Sequence, residues 1–245
     1  MLMRATLMLS LMLGLTISAV GQSRLVNLQP GSIEAKALAF FEGIEDQSFD
    51  DYLRRVRLPK VSSAFKAQVL ARITKGEEVR ISDRMQEALA SLAPILNYHE
   101  RESVIEIKVI AARELFIGLQ GRAVLLISEK ALHQMPVEEL QAVIAHELGH
   151  EYFWGELMEA RQQKQLEAIR EIELRCDGIA VITLHRLGLD PSKLVAAVNR
   201  IRLLNTRLVS LDRLYHPARD GRARFIRAMS ELIHGRLIVT HGVAS

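Results

Sequence analysis

The chain has 245 residues, 49% of them hydrophobic and 25% charged, which is enough apolar content for a packed core and excludes an intrinsically disordered chain. Its 32 basic and 29 acidic residues leave a net charge of +3, too small an excess to point to nucleic acid as a partner. With a single cysteine, Cys176, no internal disulfide can form, so stability must come from the core and any bound metal.

Residues 1–21 read as a secretory leader. Arg4 supplies the positive start, residues 5–20 form an apolar run, and Ala19-Val20-Gly21 sets small residues at −3 and −1 before Gln22. Ser10, Gly14, Thr16 and Ser18 dilute the run, which falls short of the ~20 residues that span a bilayer comfortably. The expectation is a cleaved signal, export to the periplasm or the medium, and a single domain over residues 22–245. The other reading is an uncleaved N-terminal anchor. No later apolar run is long enough to cross a membrane, so membrane contact is expected to be peripheral at most.

Residues 33–42, 45–56 and 61–73 carry helical spacing, and Ser82 or Asp83 caps a further helix running to about residue 96. The pattern then changes. Val104, Ile105, Ile107, Val109 and Ile110 form a β-branched run, followed by short apolar runs at 115–119 and 123–127 with Gly121 between them. These predict a small sheet of three strands. A helix follows Pro136 with Val137, Leu140, Val143, Ile144 and Leu148 on one stripe. A second helix is expected from about 156 to 187, ended by Gly188, a third after Pro191, and a fourth from Pro217 to about 233. Helices, a small sheet, then helices give the class α+β.

The chemistry concentrates in His146-Glu147-Leu148-Gly149-His150, an H-E-x-x-H within a helical segment. Positions i and i+4 send both imidazoles from one face, one turn apart, which suits two nitrogens on one ion. Glu147 lies beside them, within reach of a water held by that ion. Catalytic zinc needs a third protein ligand and one open position. Glu151, Glu156, Glu159, Glu167, Glu171 and Glu173 all follow the motif. Glu151 is turned about 100° from His150 and is read as solvated. Glu173 is favoured as the metal ligand because Asp177 follows it at i+4 on a packed stretch with Ile172, Ile179 and Ala180. Asp177 can then accept the far N–H of a ligating imidazole. Cys176 is read as a buried, inert thiol, Tyr152 and Trp154 as core, and His99, His133, His185, His234 and His241 as histidines without ligand spacing.

These segments resemble the gluzincin metallopeptidases, in the family that includes the CAAX prenyl protease and HtpX. The matching parts are the stretch from Ile144 to His150, the Glu-x-x-x-Asp of Glu173 and Asp177, the approach from Leu125 to Leu132, and His216-Pro217 with Arg222. Cys176 stands where that family has alanine. The Asn-Ala-Phe element and Pro-Gly pair usual before the active-site helix are absent. The resemblance covers about residues 104–230 and implies a zincin-like fold, one Zn2+ and endopeptidase activity. It also implies that His216 faces the metal and stabilises the oxyanion. Arg222 either bonds an active-site carboxylate or lies on a basic face with Arg219 and Arg227.

The sequence thus predicts a zinc metalloendopeptidase acting on unfolded or exposed polypeptides, bound extended along 115–119 or 123–127. The competing reading is a zinc-stabilised binding or chaperone-like protein with little proteolysis.

Overall fold

The computed structural model describes residues 28–44, 48–73, 79–205 and 217–242. The expected leader at 1–21 and His216 lie outside the described residues.

Serine punctuates the N-terminal part. Helices α1 (Ile33–Glu42), α2 (Phe49–Val56), α3 (Ser63–Arg72) and α4 (Asp83–Ala90) each follow a serine whose Oγ accepts the backbone N–H three residues on, at 3.1–3.4 Å. Such a bond satisfies one of the unpaired N–H groups of the first turn and contributes about 1 kcal/mol. The helix expected to reach residue 96 is in fact two. It stops at Ala90, and α5 (Ala93–Tyr98) restarts with proline in its first turn, where no amide hydrogen is missed.

Three strands follow: β1 (Glu106–Ile110), β2 (Ile117–Gln120) and β3 (Val124–Ser128). Their order is β1-β3-β2, with β1 parallel and β2 antiparallel to β3, so the class is α+β with a small mixed sheet. β3 is buried along its whole length, as a central strand with both faces covered must be. The β2–β3 turn is Gly121-Arg122, with φ of +57° and +58°. Two consecutive left-handed residues match the right-handed twist of a tight hairpin. Arg122 tolerates that conformation while its guanidinium reaches Pro59 O and Glu151.

Ser128 ends the sheet and caps α6 (Glu129–Gln134). Then come α7 (Val137–Tyr152), α8 (Trp154–Gln162), α9 (Leu166–Arg186), α10 (Ser192–Leu204) and α11 (Arg219–Gly242). The single helix expected over 156–187 is divided, because Lys164 takes φ +55° and sends the chain into α9 at a new angle. Gly188 closes α9 as foreseen: at φ +68° it lets the Leu189 N–H reach Leu184 O at 2.8 Å.

α7 is buried on nearly every side, and α9 packs against it more extensively than any other pair of elements. α10 and β2 also pack on α7, while α1 and α11 pack against each other and α9. The main core joins all of these, and a smaller cluster sets Ala123, Val124 and Leu126 against Val69 and Leu70 of α3. No described helix is long and apolar enough to cross a membrane.

Candidate metal centre

The regular turn of α7 puts the two imidazoles where the spacing requires. The ring centroids of His146 and His150 are 5.0 Å apart. One ligand-type atom each from His146, Glu147 and His150 lies within 4.8 Å of the others, a group that can hold a metal ion.

α9 brings a carboxylate to the same place. Glu173 is 2% exposed, and its oxygens lie 3.3 Å from His146 Nε2 and 3.7 Å from His150 Nε2. This proximity depends on a missing side chain. A Cβ at Gly149 would stand 2.9 Å from the Cys176 Cα, closer than real Cβ contacts come, and 3.0 Å from its Cβ and carbonyl oxygen, tighter than nearly all of them. Only glycine lets the two backbones approach so tightly.

Behind the His146 ring, Asp177 is fully buried, and its Oδ1 sits 2.8 Å from Nδ1. A carboxylate only accepts, so Nδ1 carries the hydrogen. Arg222 of α11 donates to the same carboxylate, with Nε 2.8 Å from Oδ2. Burial alone would push the His146 pKa down, but its bonds to Asp177 and Glu173 outweigh it and hold the pKa up at about 9. Burial likewise opposes ionisation of Asp177, yet Arg222 and His146 together hold its pKa below the usual carboxylate range. The carboxylates of Glu173 and Asp177 both bond the His146 ring, an environment that favours positive charge there. The His150 ring is different: burial lowers its pKa, and its Nδ1 meets the Cys176 sulfur at 3.4 Å. Burial also pushes the Cys176 thiol up, which keeps it protonated.

The sheet contributes one contact. Leu119 N–H of β2 donates to Glu147 Oε2 at 3.0 Å. β2 is therefore the edge strand beside the candidate site. The alternative edge, 123–127, is ruled out because β3 is the central strand with β1 and β2 on either side.

No protein-family model matches this chain, and no curated protein matches it either.

The structure brings together His146, Glu147, His150, Glu173 and Asp177. The role expected of Arg222 resolves toward the carboxylate of Asp177 rather than a basic face. Of the other acidic residues, Glu156 pairs with Arg175, Glu167 with Arg170 and Glu171 with Lys36. The reading of Glu151 as solvated is corrected: it is 3% exposed and accepts from Arg101 Nε at 2.7 and 2.8 Å. Its partners, Arg101 and Arg122, lie 50 and 29 residues upstream, where α7 alone gives no hint of them. Tyr152 and His99 are core, and linked: Tyr152 Oη lies 2.6 Å from His99 Nδ1, and His99 Nε2 lies 2.9 Å from Thr183 Oγ1. Since the Thr183 hydroxyl donates to Ile179 O, it accepts from His99 Nε2–H, and Tyr152 donates to Nδ1. Sequence reasoning missed this chain, the Cys176 sulfur behind His150, and the Leu119 amide on Glu147. The small residue Gly149 inside the motif was the available signal for the close helix contact.

Proposed function

We propose that this chain is a zinc metalloendopeptidase of the zincin type, with His146, His150 and Glu173 as metal ligands and Glu147 as general base. The observation that carries the reading is the Glu173 carboxylate lying against both Nε2 atoms while Glu147 stands on the same side. Two imidazoles and a carboxylate are a donor set suited to catalytic zinc. The buried cluster, in which carboxylates hold a histidine's positive charge, fits a divalent cation.

Bound there, zinc would act as a Lewis acid toward the scissile carbonyl and lower the pKa of its water toward ~7. Asp177 accepts from His146 Nδ1–H, which leaves Nε2 as the ligating atom and fixes the ring. Arg222 keeps Asp177 ionised. The Leu119 N–H holds one oxygen of Glu147, leaving the other to take a proton from the attacking water and pass it to the leaving amine. The substrate lies extended along the edge of β2 and pairs through its backbone. We further propose export by the leader at 1–21, one catalytic domain over 22–245, unfolded or exposed polypeptides as substrates, and His216 as oxyanion donor.

The test joins metal analysis to catalysis. Purified mature chain is expected to hold one zinc and to cleave a casein-like substrate, with chelator abolishing the activity. Glu147→Gln should retain the zinc and lose cleavage. A fully active Glu147→Gln enzyme rules out this mechanism. Zinc retention without chelator-sensitive cleavage favours the binding-module reading instead.

A further inference from the structure

The β2 edge is not uniform along its length. Phe116 C=O accepts from Ser128 N–H at 2.8 Å, and Gln120 C=O accepts from Ala123 N–H at 3.0 Å. By the alternation of an antiparallel ladder, Phe116, Gly118 and Gln120 turn their backbone groups toward β3 and the residues alternating with them turn theirs away. Leu115, Ile117 and Leu119 therefore form the outward edge. At one end, Leu119 N–H is taken by Glu147. At the other end, both groups of Leu115 are taken by one side chain. Asn205 Nδ2 donates to Leu115 O at 2.6 Å, and Leu115 N–H donates to Asn205 Oδ1 at 2.8 Å. The buried Asn205 amide, just after α10, thus imitates a residue of a neighbouring strand. Among the described residues, none bonds to the outward groups of Ile117.

Resting on the peptidase reading, we infer that Asn205 is a positioning residue that ends the peptide-pairing edge at Leu115. An extended substrate then pairs with Ile117 alone on that side of Glu147 and is held in one register. Pairing further out would break two buried hydrogen bonds to make two others, with no net gain.

The experiment uses the zinc-loaded wild-type chain and a cleaved peptide whose backbone amides are N-methylated one at a time. Methylation of the N–H that meets Ile117 is expected to lower kcat/KM about tenfold, the loss of one good hydrogen bond. The N–H two residues further from the scissile bond, facing Leu115, is expected to tolerate methylation. In Asn205→Ala that outer position becomes sensitive too, while zinc content stays unchanged; a purely structural asparagine would not move this profile. If Asn205→Ala fails to fold, the wild-type scan still decides. Two sensitive positions in the wild type, or a variant profile identical to the wild type, overturns the inference. Absence of any cleavage sinks the peptidase reading first and this inference with it.

Discussion

Asp177 and Arg222 form a buried pair behind the His146 ring, with the guanidinium Nε 2.8 Å from Oδ2 while Oδ1 meets the imidazole. The carboxylate therefore orients a candidate ligand and neutralises a buried cation at once. Asp177→Asn keeps the shape and removes the charge. We expect it to weaken metal binding by about 10–100-fold, as the loss of a carboxylate behind a ligating histidine does elsewhere. Metal titration with a competing chelator reads this directly, and an unchanged affinity would show that Asp177 serves the fold alone.

Gly149 sets the distance between α7 and α9. Gly149→Ala pushes its new methyl into the Cys176 backbone, where no flexible side chain can give way. Overpacking of this kind costs about 1–3 kcal/mol. The variant should melt at a lower temperature and bind metal more weakly, because the Glu173 carboxylate retreats from both imidazoles. A melting curve and zinc content equal to wild type would contradict the packing argument.

His99 makes stability depend on pH. Burial pushes its pKa down to about 3, well below the ordinary value of 6.5. The unfolded chain therefore takes up the proton first. This contribution is complete above about pH 6.5 and falls away as pH drops toward about 3. By pH 5 the loss is about 2 kcal/mol. His99→Gln, which can still bond Tyr152 and Thr183 but cannot titrate, should flatten that part of the profile. Denaturant unfolding of both proteins with chelator present, over a pH series, measures the difference.

The legible parts of the sequence were those carried by a local period. The His146–His150 spacing and the Glu173–Asp177 spacing each put two groups on one face without outside help. Gly188 and the Ser82 cap marked helix boundaries through local chemistry, while the caps at Ser32, Ser48, Ser62 and Ser128 went unread. The break at Lys164 was not legible, since neither Gly nor Pro marks it and a lysine takes the left-handed turn. Glu151 was misread because its partners, Arg101 and Arg122, come from other elements. The central place of β3, and with it the strand order, could have been inferred from its unbroken apolar run, Val124 to Ile127; the parallel pairing of β1 is not written in any local pattern.

Glu151 and Arg101 test how much a buried pair matters. Glu151→Ala leaves the Arg101 guanidinium, 1% exposed, without its carboxylate, a change that costs about 3–5 kcal/mol. Replacing both, as Arg101→Met with Glu151→Leu, should recover most of that loss. Urea unfolding of the single and double variants is the measurement. A double variant no better than Glu151→Ala would mean that the bonds to Leu58 O and Arg122 dominate.

The Tyr152–His99–Thr183 chain has a consequence for how metal is acquired. It fastens the end of α7 to α9 two residues beyond His150, and the tight contact at Gly149 fastens them again, neither through an ion. On the proposed metal reading, the two helices that the ion would bridge are already joined without it, so loading is not required to pair them. The expectation is a chain that keeps its fold when chelator removes the proposed ion and that takes the ion up again afterwards.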